Sequence, residues 1–361
     1  MPQTKRLSDQ PQWCMHGFFM LAIRLIISCF AFSGCDLIFS QQVIERSCSE
    51  DGHLCVQTKS EETGRVRKIW GNAVVGYWAV GEGISGVGGA VLRWGGHSWI
   101  KQNIPITENR LYDLWGIDGN HIWAVGERAT ILFWDGATWT TQNVQDAARE
   151  DPLWSIYGIS DQNLLAVGDN GLLLRWNGAE WTVEGPGISL ANPSWRSVWA
   201  TPNGEYFVAG DNGYVIHQTP AFKWSDESIK PTDAKNRINS IFGLDSGSAW
   251  LAGNNGLLME RSGNTWQGPQ YMDKGVPPNL NAIWTDGTGN IWTVGDVGDP
   301  NTCPAVYRLV GGQLVRHEED YDRKSCSDAR RTYRTVWGIT GQEVWVGGTA
   351  DGTIQRRRVA P

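Results

Sequence analysis

The sequence predicts an all-β chain folded as a seven-bladed β-propeller of four-stranded blades, closed by an N-terminal strand. Three observations carry this expectation. First, a motif of one aromatic or Leu, two small or apolar residues and Gly, as in Trp123-Ala124-Val125-Gly126, recurs at Gly81, Gly126, Gly168, Gly210, Gly253, Gly295 and Gly348, in steps of 45, 42, 42, 43, 42 and 53 residues. A period near 42 is the length of one four-stranded propeller blade. Second, each copy carries short strand signals separated by turn residues. Third, the last copy stops short at Pro361 while an unclaimed strand signal precedes the first copy.

Within a copy the elements are clearest at Leu111 to Ile117, His121 to Val125, Thr130 to Trp134 and Ala137 to Asn143. Gly-Asp-Asn-Gly at Gly168 to Gly171 and Gly210 to Gly213, and Gly-Asn-Asn-Gly at Gly253 to Gly256, separate second from third strands. Asn-Gly supplies the positive φ angles of a tight hairpin. The first strand brings an aromatic at one register in all seven copies: Trp70, Trp115, Tyr157, Trp199, Phe242, Trp284 and Trp337. The second brings Trp78, Trp123, Leu165, Phe207, Trp250, Trp292 and Trp345, and the fourth brings Trp99, Trp139, Trp181, Trp224 and Trp266. Fixed strand positions assign most of the 21 tryptophans to packing between blades rather than to a carbohydrate platform. The truncated last copy, Tyr333 to Val359, lacks its outer strand, and Gly52 to Thr58 is expected to pair with Gly352 to Arg357 and close the ring.

Ahead of the repeats, residues 1–34 read as a signal peptide: Lys5 and Arg6, then an apolar run from Gly17 to Gly34 broken by Arg24. The run ends Ser33-Gly34-Cys35, which resembles the bacterial lipobox. That resemblance implies lipidation of Cys35, a tether over residues 35–51 and a propeller over 52–361. The expected location is therefore the bacterial cell envelope, with the chain lipid-anchored to a membrane on its periplasmic or cell-surface side. With Cys14 and Cys29 in the signal, Cys48, Cys55, Cys303 and Cys326 remain. An even number in an exported chain points to two disulfides. Three pairings exist, of which Cys48 with Cys55 and Cys303 with Cys326 fit the repeat map; a metal site is the rival reading.

The full chain carries −7 and residues 1–34 carry +2, so the exported part carries −9, which argues against nucleic acid as a partner. Gly81-Glu82-Gly83-Ile84-Ser85-Gly86 matches the dinucleotide fingerprint, but a strand follows it where that chemistry requires a helix N-terminus, so a widened hairpin is expected. No nucleophile elbow and no paired histidines occur, and neither catalytic residues, a cofactor nor a metal is expected. The residues after the repeat glycines (Glu82, Glu127, Asp169, Asp211, Asn254, Asp296 and Thr349) place five carboxylates around one face. Turn preference accounts for Asp and Asn there, and a sharper reading is an acidic rim that attracts a cation or basic ligand.

The unit Trp115-Gly116, Trp123-Ala124-Val125-Gly126, Trp134 and Trp139 resembles the Trp-rich propellers of bacterial exported lipoproteins over roughly residues 65 to 357. It is also similar to sialidase-type and photosystem assembly-factor propellers. These resemblances imply a non-enzymatic, membrane-anchored scaffold that binds an envelope protein or glycan through its loop face, as a monomer. The alternatives are a polysaccharide-acting enzyme, glycosidase or lyase, with a central-pocket site, and a structural envelope component. The longest loops, Gly81 to Gly89, Asp296 to Pro304 and Arg316 to Arg331, exceed what packing requires. Within them Asp299, Glu318, Glu319, Asp322, Arg323, Arg330 and Arg331 are the candidate partner contacts.

Overall fold

Apolar side chains at every second position, bounded by Gly, Asn and Asp, give strands of three to eight residues, and one face of each must be covered by a neighbouring sheet. The computed structural model describes residues 43–47, 54–59, 63–144, 150–230, 236–268, 277–297, 305–310, 313–316, 332–340, 343–349 and 352–358. These residues form seven antiparallel sheets, six of four strands and one of five. The first strands of the blades are, in order, Val66–Asn72, Leu111–Gly116, Leu153–Ser160, Trp195–Ala200, Ile238–Asp245, Pro278–Thr285 and Thr335–Thr340. Each touches the next, and the seventh touches the first, so they line the axis of a closed seven-bladed ring.

Closure runs as the truncated copy predicts. Leu54–Lys59 pairs antiparallel with Thr353–Arg358, Val56 opposite Arg356 and Thr58 opposite Ile354. A further strand, Val43–Ser47, lies outside it with Glu45 opposite Val56, in the stretch read from sequence as a tether. Blade 7 is therefore the five-stranded sheet. Among the described residues no helix is long and apolar enough to cross a membrane. Residues 1–42, including Cys35, lie outside the described residues, as do Cys48, Cys303 and Cys326; Cys55 sits in the closing strand opposite Arg46.

The tryptophans pack blade against blade. Trp78 of blade 1 lies 5.3 Å from Trp134 and 5.8 Å from Trp139 of blade 2, ring centre to ring centre. Across the closure, Trp345 of blade 7 lies 5.1 Å from Trp94 and 5.5 Å from Trp99 of blade 1. Trp123 and Trp181, from blades 2 and 3, both donate their indole N–H to Gln142 Oε1. First-strand aromatics go further and meet around the axis: Trp115 stacks on Tyr157 at 3.8 Å and reaches Trp337 of blade 7 at 6.0 Å, which also meets Phe242 of blade 5. Rings from several blades thus fill the axis at this level.

Hairpin chemistry follows the sequence. Asn170-Gly171, Asn212-Gly213 and Asn255-Gly256 all have positive φ, between 53° and 74°. Blade 2 adopts the same turn with Arg128 and Ala129, at φ 56° and 49°. The fingerprint-like glycine segment is a widened hairpin, a single 3-10 turn over Ile84–Gly86 between strands. The repeat glycines have a different cause. A Cβ on Gly81, Gly126, Gly168, Gly210, Gly253 or Gly295 would run into the carbonyl oxygen of Arg65, Arg110, Pro152, Ser194, Arg237 or Asn279 respectively, so the motif marks a close backbone approach rather than a turn angle.

Candidate functional site at the channel mouth

That close approach belongs to a bulge repeated around the ring. In blades 1 to 6 the pairing of first and second strands slips by one residue near the start of the first strand, between Val66 and Lys68, Leu111 and Asp113, Leu153 and Ser155, Trp195 and Ser197, Ile238 and Ser240, and Leu280 and Ala282. The skipped residues are Arg67, Tyr112, Trp154, Arg196, Asn239 and Asn281, and Arg334 holds the same position ahead of Thr335–Thr340. A bulge frees a residue from the ladder and re-aims its side chain. All seven line one cavity of about 150 Å³ at the channel mouth, with Lys68, Asp113, Ser155, Ser197, Arg237, Ser240 and Ala282.

Below the bulge residue, the next position stitches neighbouring blades together. Ser155 Oγ accepts from Val198 N, Ser197 Oγ from Ile241 N, Ser240 Oγ from Ile283 N and Thr335 Oγ1 from Ile69 N. Asp113 performs the same task for Ile156 N at 3.0 Å, accepts from Ser155 Oγ at 2.7 Å, and pairs with Lys68 Nζ at 3.3 Å. Ala282 alone of the seven is apolar. These short polar residues are therefore structural, with one such hydrogen bond at five of the seven blade junctions.

The carboxylates expected to form an acidic rim are on this face, but they are not free. Glu82 pairs with Arg67 and with Arg65 at 3.6 Å. Glu127 pairs with Arg110 at 3.4 Å and accepts from Tyr112 Oη at 3.0 Å. Burial, then this bond to Glu127, pushes the Tyr112 phenol up to about 12. Arg196 bridges Asp211 at 2.8 Å and Asp169 at 3.3 Å, Arg237 lies 3.3 Å from Asp211, and Asp296 accepts from Asn279 Nδ2. The rim reading is thus corrected: arginines from the bulge position and from two residues before it pair with four of the five carboxylates, and an amide binds Asp296.

Four side chains from successive blades form a closed stack. The Arg67 guanidinium lies 5.5 Å above the Tyr112 ring, Tyr112 stacks on Trp154 at 4.3 Å and 15°, and Arg196 covers the far face of the pair, 4.7 Å from Trp154. On the other side of the ring Asn239 Nδ2 donates to Leu280 O and Asn281 Nδ2 to Tyr333 O. Arg334 differs from both groups. Its Nη1 donates to Asn281 Oδ1 at 3.3 Å, its Nε has no acceptor, and no carboxylate among the described residues pairs with it. Burial first, and then the charges of Arg67 and Arg65, bring its pKa down to about 10 against the opposing pull of Asp296. Burial and the neighbouring Arg196 likewise lower that of Arg237.

A second charged cluster lies between blades 4 and 5. Glu227 binds His217 Nδ1 at 3.0 Å and Arg261 Nη2 at 2.8 Å, and Phe207 stacks on His217 while Arg261 lies 4.8 Å from the Phe207 ring centre. Each of these groups is buried and engaged, so the cluster fastens two blades. Among the described residues no group of His, Cys, Asp and Glu is arranged to hold a metal ion.

Of the sequence-predicted contacts, Asp299, Glu318, Glu319, Asp322, Arg323, Arg330 and Arg331 all lie outside the described residues. The mouth residues were legible in one respect: each stands three positions before the first-strand aromatic of its copy.

No family model and no curated protein matches this chain. Solved structures do. YCF48 bound to D1 peptide is 14% identical at a TM-score of 0.60, covering 84% of this chain and 97% of that one. YCF48 from Cyanidioschyzon merolae is 17% identical at 0.62, over 84% and 98%. Virginiamycin B lyase from Staphylococcus aureus is 10% identical at 0.67, over 85% and 99%. The WD40 β-propeller domain of Doa1 is 12% identical at 0.64, over 85% and 97%. At such identities the likeness establishes the β-propeller fold alone, and activity must be argued from the site.

Proposed function

We propose that this chain is a non-enzymatic propeller that binds a polypeptide partner at its channel mouth. The observation that carries the reading is the convergence of six bulge residues and Arg334, one side chain per blade, on a single cavity in which Arg334 has no carboxylate in ion-pair range among the described residues. Nothing in blade packing requires donors at that position. A propeller of similar fold, YCF48, has been solved with D1 peptide bound, which supports a peptide as the class of ligand.

Two features favour a polypeptide over a polysaccharide substrate. The mouth carboxylates are each engaged by Arg, Lys, Tyr or amide groups, whereas glycoside hydrolysis relies on a carboxyl pair with one member free to protonate the leaving group. The rings of Tyr112 and Trp154 are covered on both faces by each other and by Arg67 and Arg196, which leaves no face for a sugar.

Selection of displayed random peptides against the propeller, followed by photo-crosslinking, tests the reading. A crosslinker at Arg128, on the mouth face, should capture the selected peptides, and one at Val74, in the turn between the first two strands of blade 1 at the opposite end, should not. Failure to enrich any peptide, or capture from Val74 alone, refutes it. The reading includes export and anchoring through lipidated Cys35, which would hold the propeller at a bacterial membrane. Mass spectrometry of the membrane fraction checks that part, and an intact N-terminus upstream of Arg24 would overturn it.

A further inference from the structure

We propose that the mouth is a carboxylate site: one carboxylate of the bound polypeptide seats at Arg334, with Arg67, Arg237 and the amides of Asn239 and Asn281 around it. The inference rests on the polypeptide reading above and adds the chemical group that is recognised.

Charge balance at the mouth sets the ligand's charge. Four registers face it: the bulge residue, the residues two before and one after it, and the residue after each repeat glycine. In these registers stand seven cations, Arg65, Arg67, Lys68, Arg110, Arg196, Arg237 and Arg334, and six carboxylates, Glu82, Asp113, Glu127, Asp169, Asp211 and Asp296. These registers carry one net positive charge, and Arg334 is the one cation of the seven that has no carboxylate in ion-pair range among the described residues, with Asp296 acting on it only from farther away. A monoanion neutralises the mouth; a phosphate dianion would overcompensate it.

Hydrogen-bond supply points the same way. Arg334 makes one long bond, from Nη1 to Asn281 Oδ1, and its Nε–H, part of the Nε/Nη2 edge that donates side-on to a carboxylate, has no acceptor. The other arginines are already held by carboxylates or aromatic rings, so the site is ordered before the ligand arrives and loses little side-chain freedom on binding. The partly desolvated, like-charged surroundings that depress the pKa of Arg334 are relieved by an incoming anion.

The test uses the whole propeller and four probes: N-acetyl-Gly-Gly, its C-terminal amide, N-acetyl-Asp-Gly-amide and inorganic phosphate. Binding is read from the Arg334 Nε–H resonance, assigned by its loss in Arg334→Lys. Both carboxylate probes should shift it saturably and the amide should bind at least tenfold more weakly; the stronger of the two tells whether a chain terminus or an acidic side chain is the source. Arg334→Gln should weaken the carboxylate probes at least tenfold with unchanged thermal unfolding, and Arg334→Lys should fall between. Should Arg334→Gln fail to fold, the acid-against-amide comparison on the native protein still decides. Equal binding of acid and amide, tighter binding of phosphate than of the carboxylates, or full affinity in a folded Arg334→Gln protein overturns the proposal. Selected peptides that crosslink at the mouth yet are indifferent to Arg334→Gln would sink the carboxylate site and leave the polypeptide reading standing. Probes that shift Arg334 when no peptide can be selected would do the reverse.

Discussion

Ser155→Ala removes two bonds at one junction, and the ring of equivalent positions supplies its own controls. Ser155 Oγ donates to the Asp113 carboxylate at 2.7 Å and accepts from Val198 N at 3.2 Å, and both partners are buried. A hydrogen bond to a charged group contributes about 1.5–3 kcal/mol, and a buried N–H left without an acceptor costs about 1–3 kcal/mol. One oxygen serves both, so the terms overlap, and we expect a loss of roughly 2–4 kcal/mol. Ser240→Ala deletes only the acceptor for Ile283 N, at 3.3 Å, and should cost about 1–2 kcal/mol. Ala282→Ser supplies the hydroxyl that blade 6 lacks, in the register that faces Val336 N, and should gain about 0.5–1.5 kcal/mol. Guanidinium unfolding followed by tryptophan fluorescence gives the midpoints, with an unchanged slope as the check that only stability has moved. A Ser155→Ala loss no larger than that of Ser240→Ala, or an Ala282→Ser protein no more stable than the native one, refutes the junction argument.

Arg128→Asn with Ala129→Gly should stabilise the propeller by about 1 kcal/mol. It relieves two L-residues at positive φ, worth about 1–2 kcal/mol each in the worst case, against the added chain entropy of Gly, and a lowered melting temperature would contradict it. Deleting residues 36–60 removes the strand paired to Thr353–Arg358 and should expose a sheet edge, so the product should aggregate; a soluble, equally heat-stable deletion would contradict closure. Acid should loosen the junctions held by Glu184 and Glu227. Burial works to raise both pKa values, but the hydrogen bonds and charge of Arg175 with Trp224 and Gln218, and of His217 and Arg261, hold them below the usual 4.5. Folded values below the unfolded ones give stability that is complete above pH 4.5 and is lost as pH falls through the folded values. Unfolding midpoints measured across that range should drop, and should drop less when both glutamates are replaced by Gln.

The ring, the closing strand and the packing tryptophans were legible in sequence because burial imposes the same residue type at the same register in every copy. Trp78, Trp123, Trp292 and Trp345 occupy one position for one reason, and a period shows it. The mouth was not legible in that way. Its register reads Arg, Tyr, Trp, Arg, Asn, Asn, Arg, with no shared type, because a bulged side chain answers to neither the ladder nor the core. The acidic rim was misjudged for a related reason. Arg67 and Glu82 stand fifteen residues apart in sequence, and only the hairpin that joins their strands makes them a pair. The loop contacts read from length alone lie outside the described residues.

The same bulge explains why a site of this kind can arise on so regular a frame. Residues one before and three after it are held by packing, as Leu111 and Trp115 illustrate, and the residue one after it is held by the junction hydrogen bond. The bulge residue alone is released in blades 1 to 6, with Arg334 at the matching place in blade 7, so each blade can change one side chain at the mouth without disturbing its own fold. An unpaired cation in that position carries a desolvation cost that the fold does not recover. Arg110, Arg67 and Arg196 avoid it by lying beside the carboxylates that follow the repeat glycines. In blade 7 that register holds Thr349, which binds its own turn through Thr353 O, and Arg334 is left facing the cavity. Among the described residues Arg334 alone of the mouth cations has no carboxylate in ion-pair range, and a ligand carboxylate is the group that completes it.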